Sequence, residues 1–153
     1  MVGDLKHGRT VRSLAYLLGK YSGIHISLVA PQAMAMEDDI KQYLNKHNVS
    51  FSEHEKLEEI ISDANVIYQT RIQKERFESV DEYEKLKGYY ILGSKDVELM
   101  KDEAIIMHPL PRVNEIDADV DSSSKAVYFR QAGYGLLIRM ALLHYIFEEN
   151  IIL

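Results

Sequence analysis

Segments in which apolar residues recur with the period of an α-helix take turns along the chain with short apolar runs typical of β-strands. Short runs rich in β-branched and aromatic residues predict four strands. These are Ile24 to Ala30, Val49 to Ser52, Asn65 to Thr70 and Ala104 to Met107. Met1 and Val2 are expected to end another strand that begins upstream. Strands alternating with helices predict an α/β fold, a doubly wound and mostly parallel sheet with helices on both faces.

Amphipathic helices are predicted between these strands. The helix after Thr10 is expected to bury Val11, Leu14, Leu17, Leu18 and Tyr21, which recur at helical spacing. Further helices are predicted at Glu37 to Lys46, Glu55 to Asp63, Asp81 to Lys87 and Lys95 to Lys101, with a strand at Tyr89 to Leu92. A last helix carries Phe129, Leu136, Leu137, Met140 and Leu143. Gly133 and Gly135 interrupt that helix, so a break or bend is expected there.

The composition is that of one globular domain. The chain has 153 residues, of which 46% are hydrophobic and 27% charged, a balance that supports a packed core and a soluble surface. No apolar run approaches the roughly 18 residues of a membrane span, and the first residues lack the pattern of a secretory signal. The absence of cysteine fits a reducing compartment, and a net charge of −6 argues against nucleic-acid binding. A cytoplasmic location is therefore predicted.

Polar loops that carry arginine follow three of the predicted strands. Ligands of open α/β sheets bind beyond the carboxyl ends of the strands, so these loops are the candidate site. Arg9 and Arg71 stand on different loops, and two guanidinium groups suit the two carboxylates of a dicarboxylic acid. Gln73 follows Arg71 by two residues, which in an extended segment places both side chains on the same side.

The segment His108 to Arg112 (HPLPR) is the third such loop. Both prolines restrict the backbone and lack an N–H group, which leaves the Pro109 and Leu110 carbonyls as free acceptors for an amine. His108 has no second metal-ligating residue at a suitable spacing, so a structural hydrogen bond is favoured over a role as base or ligand. No metal or cofactor is predicted, because the dinucleotide fingerprint and the phosphate loop are both absent.

Several motifs in the same order make the whole chain resemble the second domain of aspartate carbamoyltransferase catalytic chains. The matching segments are VGDLKHGRTVRSL, VAP, YQTRIQKERF, IIMHPLPRVNEI and YFRQAGYGLLIRMALL. The resemblance implies that residues 1–153 form the aspartate-binding domain of a transferase that makes N-carbamoyl-L-aspartate and phosphate in pyrimidine synthesis. It also implies a Rossmann-like fold and no cofactor.

The resemblance further assigns individual residues. Those that would bind aspartate are Arg9, Arg71, Gln73, Pro109 and Leu110, and no residue of this half is assigned as catalytic. Arg76 would brace the mobile loop with Glu82 and Tyr83 as partners, while Glu115 and Arg139 would belong to the bridge between domains. Arg112 is expected to support the loop or the domain.

The chain departs from the family pattern because the STRT-type loop that binds carbamoyl phosphate is absent. The isolated chain is therefore expected to be inactive or nearly so, and its expected partners are L-aspartate and the missing carbamoyl-phosphate domain. The family implies a catalytic trimer, with or without regulatory chains. Alternatives are a non-catalytic amino-acid or anion-binding module, a structural subunit, and a relative acting on another amino acid.

Overall fold

The computed structural model of the chain describes residues 1–72, 79–86 and 88–149. The strands are β1 (His25–Val29), β2 (Ser50–His54), β3 (Val66–Tyr68) and β4 (Ile105–Met107). The helices are α1 (Arg9–Leu18), α2 (Asp38–Lys46), α3 (Val80–Leu86), α4 (Ser94–Leu99) and α5 (Tyr128–Glu149). Short 3-10 turns lie at Gln32–Met34, Leu57–Glu59 and Ala118–Ser122.

Val2 joins two pairs of strands into one parallel sheet. β1 pairs with β2, and β3 pairs with β4, all in parallel. Val2 forms parallel bridges to Val29 of β1 and to Gln69 at the end of β3. The order across the sheet is therefore β2, β1, Val2, β3, β4. This arrangement confirms the predicted α/β fold with a mostly parallel sheet.

Two hydrophobic cores lie on opposite faces of this sheet. Successive residues of a strand point to opposite faces, and in β3 Ile67 belongs to one core while Tyr68 belongs to the other. α1 and α2 cover one face, and they contribute buried residues such as Val11 and Leu44. The other face packs against the segments around α4 and the first residues of α5, where Tyr128 is fully buried.

Three predicted elements differ in the structure. α5 runs without interruption from Tyr128 to Glu149, so the break expected at Gly133 and Gly135 is wrong. Each glycine in a helix costs only about 1 kcal/mol relative to alanine, which the long flanking runs of good helix formers outweigh.

The other two differences concern short segments. The helix expected at 55–63 is reduced to the 3-10 turn Leu57–Glu59, closed by a hydrogen bond from the Lys56 N–H to the Glu59 carboxylate. Its apolar residues are still buried, because tight turns bring them to the core. The strand expected at 89–92 is a single bridge between Leu92 and Ile116, since the chain turns away on either side.

The exposed apolar residues correct the predicted faces of two helices. In α1 Val11 and Ala15 are buried, whereas Leu17 is 51% exposed and Tyr21, beyond the helix, is 58% exposed. From Phe129 onward nearly all described side chains of α5 are exposed, because the helix projects beyond the two cores. No helix among the described residues is long and apolar enough to cross a membrane.

Substitutions of two leucines test this assignment of the core. Leu44 in α2 is fully buried, so Leu44→Ala should lower the free energy of unfolding by about 2–5 kcal/mol through lost burial and a cavity. Leu17→Ala should cost less than about 1 kcal/mol because that side chain already contacts solvent. Urea unfolding of both variants measures the difference. Equal losses would contradict the core described above.

Candidate functional site

The candidate site lies where the chain changes direction across the sheet. From Val2 the chain adds β1 and β2 on one side, and it then crosses to add β3 and β4 on the other. The loops after Val2 and after β3 therefore diverge at the switch point, which is the usual ligand position in such sheets. The Thr70 N–H and hydroxyl both donate to the Val2 carbonyl at 2.9 Å, so the two loops start in contact.

Gly3 is required by this close approach. Its φ is +114°, and a Cβ there would lie 2.5 Å from the Thr70 carbonyl oxygen and 2.6 Å from the Thr70 hydroxyl. Only glycine accepts both the backbone conformation and the proximity of the neighbouring chain. Gly3 thus lies at the point where the end of the Val2 strand meets the end of β3.

Arg9 is the first residue of α1 and lies at the carboxyl end of the Val2 strand. The unpaired N–H groups of a helix N-terminus attract anions, and Arg9 adds a full positive charge beside them. Arg9 is exposed, and no ion pair to it is found within the described part of the chain. A hydrogen bond between Thr10 and the Tyr68 hydroxyl fixes this helix end against β3, and burial raises the pKa of Tyr68 against the opposing effect of that bond.

Arg71 follows the end of β3 and is half-buried. Gln73 and Arg76, which sequence reasoning assigned to aspartate binding and loop support, lie outside the described residues. Glu82 and Tyr83 lie on α3, and Tyr83 lines a small cavity together with Gln69 and Glu115. Arg9, at the start of α1, and Arg71, after β3, thus follow strands that are neighbours in the sheet.

The loop after β4 presents backbone carbonyls rather than a charged side chain. Pro109 and Leu110 are half-buried, and no described residue donates a hydrogen bond to either carbonyl. Leu110 has a φ of +52°, a left-handed conformation that residues with a side chain rarely adopt. The binding of an amine by these two carbonyls stays a prediction.

A buried His108–Glu115 pair holds this loop. His108 Nε2 lies 2.7 Å from Glu115 Oε1, and the two side chains are 1% and 6% exposed. The Val113 and Asn114 N–H groups also donate to the Glu115 carboxylate at 3.2–3.3 Å. Burial raises the pKa of Glu115, but the contacts from His108 and the backbone outweigh it, so that the pKa lies below the ordinary value.

Arg112 supports the same loop and does not present a free charge. Its guanidinium pairs with Asp121, donates to the Tyr128 hydroxyl at 3.2 Å, and lies over the Tyr128 and Phe129 rings. The Tyr128 hydroxyl donates to Asp121. Burial and the neighbouring Asp121 carboxylate raise the pKa of Tyr128 to about 12, which keeps the hydroxyl protonated as a donor.

Two residues that the sequence assigns to the bridge between domains have different surroundings in the structure. Glu115, expected at the bridge between domains, is buried in its own loop, and the structure places Arg139 on the exposed surface of α5 with a hydrogen bond to the Gly135 carbonyl. Sequence reasoning missed Gln69, which is fully buried with neither amide atom hydrogen-bonded among the described residues. No local pattern marks that residue, because only the meeting of β3 with the loop after β4 creates its cavity.

The described residues contain no cluster of three or more His, Cys, Asp or Glu side chains suited to a metal ion. What the site offers is positive charge from arginine and a helix terminus, together with backbone acceptors. This combination suits a small molecule that carries both carboxylates and an amine.

The fold defines a doubly wound α/β domain in which Arg9 and Arg71 follow the strands that meet at its topological switch point. Comparison with known proteins narrows this class. Residues 1–146 match the family described as aspartate/ornithine carbamoyltransferase, Asp/Orn binding domain. The chain belongs to this family, as its sequence motifs indicate.

Relatives and solved structures of the family share most of this chain. A chloroplastic aspartate carbamoyltransferase of Pisum sativum is 55% identical over 94% of the chain, which spans 37% of that protein. The catalytic subunit of M. jannaschii aspartate transcarbamoylase is 47% identical with a TM-score of 0.89, and the match covers 97% of this chain and 48% of that one.

A third comparison concerns a ligand complex. The Trypanosoma cruzi aspartate transcarbamoylase in complex with aspartate and phosphate is 38% identical, with a TM-score of 0.80, over 93% of this chain and 44% of that one. The chain therefore spans less than half the length of each of these relatives. The similarity covers the domain described above, including all three loops of the site.

The pKa of Glu115 gives a prediction about stability and pH. Because the pKa is lowered in the folded state, its charged form stabilises the fold above the ordinary value of 4.5, and this contribution is lost as the pH falls. Glu115→Gln should lower the free energy of unfolding by about 1–3 kcal/mol at pH 7. The difference from the unmodified chain should shrink as the pH falls below 4.5 and through the lowered pKa at which the folded chain protonates Glu115. Urea unfolding across this range measures it, and a difference that is constant with pH would contradict the assignment.

Proposed function

We propose that this chain is the aspartate-binding half of an aspartate carbamoyltransferase, which forms N-carbamoyl-L-aspartate and phosphate from carbamoyl phosphate and L-aspartate in pyrimidine synthesis. The observation that carries the proposal is the arrangement at the switch point. Two arginines follow adjacent parallel strands, and a loop with free carbonyls follows the next strand. Membership of the carbamoyltransferase family supports the same reading.

The proposed roles follow from the chemistry of the substrate. Arg9 and Arg71 pair with the two carboxylates of aspartate, and Gln73 contributes an amide contact. The Pro109 and Leu110 carbonyls accept hydrogen bonds from the amine. The amine attacks the carbonyl carbon of carbamoyl phosphate, a C–N bond forms, the bond from carbon to the bridging oxygen breaks, and phosphate leaves with the electron pair. The amine gives up its proton during this transfer.

The other half of the chemistry lies outside the sequence motifs of this chain. Developing charge on the carbonyl oxygen and on phosphate requires fixed donors, and the STRT-type loop that the family uses for this is absent. The chain alone orients aspartate but does not bind or polarise carbamoyl phosphate. We therefore propose that it acts with a carbamoyl-phosphate domain and is inactive or nearly so by itself.

The exposed apolar surface of α5 supports this need for a partner. Leu136, Leu137, Ile138, Met140 and Phe147 are between 57% and 69% exposed, which is unusual for large apolar residues on one helix. Contiguous exposed apolar surface marks an interaction site. We propose that the carbamoyl-phosphate domain covers α5 and that Arg139 lies at this junction.

The wider assembly is part of the same proposal. A catalytic trimer with or without regulatory chains follows from the family, whose solved members include catalytic subunits. A cytoplasmic location is also included, on the ground that the sequence contains no cysteine, although the pea relative is chloroplastic by name.

Reconstitution tests the division of labour between the two halves. The purified chain alone should form no carbamoyl-aspartate, whereas its mixture with a folded carbamoyl-phosphate domain should form it from carbamoyl phosphate and aspartate. A radiometric or colorimetric assay of carbamoyl-aspartate measures both. Full activity of the chain alone would contradict the proposal that it lacks a carbamoyl-phosphate site. If the mixture formed no carbamoyl-aspartate although both parts were folded, the proposed function would be contradicted.

Arg71→Ala in the reconstituted enzyme tests the aspartate contact. Loss of a bidentate, charge-assisted pair should weaken aspartate binding by about 2–4 kcal/mol, and the KM for carbamoyl phosphate should change little. Arg12→Ala is the matched control, because Arg12 pairs with Glu37 and Asp39 on the surface of α1 and α2. An unchanged KM for aspartate in the Arg71 variant would exclude that residue from the site.

A further inference from the structure

His108 makes more contacts than the sequence assigned to it. It follows β4 directly and is 2% exposed. Its Nδ1 accepts a hydrogen bond from the Leu110 N–H at 2.8 Å, its Nε2 lies 2.7 Å from Glu115 Oε1, and its own N–H donates to Gln131 Oε1 at 3.1 Å. One residue therefore connects the start of the loop, its end and the first turns of α5.

These contacts fix the arrangement of protons on the imidazole. Because the Leu110 N–H donates to Nδ1, that nitrogen carries no proton, and we assign the ring proton to Nε2, which faces the Glu115 carboxylate. Both ring nitrogens are thus engaged inside the protein. Neither nitrogen faces a substrate, so any effect of His108 on the reaction must pass through the groups that it contacts.

The most important of these groups is Leu110. Its φ of +52° is a conformation that leucine rarely adopts, so the surrounding structure must maintain it. The N–H of this residue donates to His108, which leaves its carbonyl, together with that of Pro109, without a donor among the described residues. The imidazole thus accepts the hydrogen bond of the Leu110 N–H, while the Pro109 and Leu110 carbonyls remain available as acceptors.

Glu115 fixes the other end of the same loop. Its carboxylate accepts from the Val113 and Asn114 N–H groups, and its Oε1 lies 2.7 Å from His108 Nε2, so the loop is closed on a buried polar core. Loop closure on a rigid core sets the direction in which the free carbonyls point. A small change in the direction of these carbonyls would strongly weaken their contact with the substrate amine, because the reacting groups must be held in a narrow range of positions.

We infer that His108 is a positioning residue for the aspartate amine, because it holds the Leu110 backbone in its left-handed conformation and thereby directs the Pro109 and Leu110 carbonyls toward the substrate. This inference rests on the function proposed above. It assigns His108 a role in the reaction without any contact between the imidazole and the substrate.

Two substitutions separate the contacts of the ring. The amide of His108→Asn places an oxygen near the position of Nδ1 and keeps an acceptor for the Leu110 N–H, whereas the amide of His108→Gln reaches toward Glu115 and leaves Leu110 without an acceptor. In the reconstituted enzyme the Gln variant should raise the KM for aspartate about tenfold, the change expected from one lost hydrogen bond. The Asn variant should stay within about threefold of the unmodified enzyme. The KM for carbamoyl phosphate should be unchanged in both.

Hydrogen exchange of the Leu110 amide in the same proteins gives a readout that does not need activity. Exchange should be at least about tenfold faster in the Gln variant and nearly unchanged in the Asn variant. His47→Gln is the control, because His47 is an exposed residue at the end of α2 with a hydrogen bond to the Tyr43 carbonyl. It should alter neither the KM nor the exchange of Leu110.

The outcomes distinguish the inference from the function on which it rests. Faster exchange in the Gln variant with an unchanged KM for aspartate would overturn the positioning role, and so would equal KM values in the Asn and Gln variants. If the unmodified reconstituted enzyme formed no carbamoyl-aspartate, the proposed function would fail. The exchange rates would then still decide whether His108 holds the loop, and unchanged exchange in the Gln variant would overturn that as well.

Discussion

The hydrogen bonding of Val2 between two strands is the interaction on which the rest of the structure depends. The Val2 N–H donates to the Tyr68 carbonyl at 2.9 Å, its carbonyl accepts from the Thr70 N–H, and the adjacent Gly3 N–H donates to the Val29 carbonyl. These bonds join the two strand pairs into one sheet and define where the chain changes direction. Both the cores and the candidate site follow from this position, because the faces of the sheet and its carboxyl edge are set together.

Two loops at that edge of the sheet, the one after Val2 and the one after β4, are held in place by different kinds of contact. The loop after Val2 depends on glycine, since Thr70 leaves no room for a side chain. The loop after β4 depends on the buried contact between His108 and Glu115 and on N–H groups that donate to the Glu115 carboxylate. These contacts specify one conformation of the loop. The free carbonyls therefore belong to a rigid element rather than to a flexible turn.

α5 connects the candidate site to the proposed partner domain. Its first residues are buried against β4, where Gln131 accepts from the His108 N–H, and the rest of the helix carries large apolar side chains on its surface. A domain that covers α5 would contact the same helix that anchors the loop after β4. Docking of that domain on α5 would then be coupled to the geometry of the loop after β4 through the packed and hydrogen-bonded groups between them. This coupling is the physical basis for an activity that needs both domains.

The sequence by itself determined the fold class, the three loops and the family, because apolar periodicity and ordered motifs are local features that survive without any contact map. It predicted that Arg9 and Arg71 lie on different loops after strands, whereas the structure places Arg9 at the first position of α1 and Arg71 after β3. The predicted role of the Pro109 and Leu110 carbonyls stays a prediction. The predictions for Leu17 and for the continuity of α5 were wrong. A helical period does not show which face of a helix is buried, and the free-energy cost of two glycines is small in a long helix.

Only the tertiary structure decided that His108 contacts both Leu110 and Glu115, that Arg112 pairs with Asp121 and that Gln69 is buried. Those contacts join residues whose geometry is set by the sheet, and no spacing in the sequence encodes them.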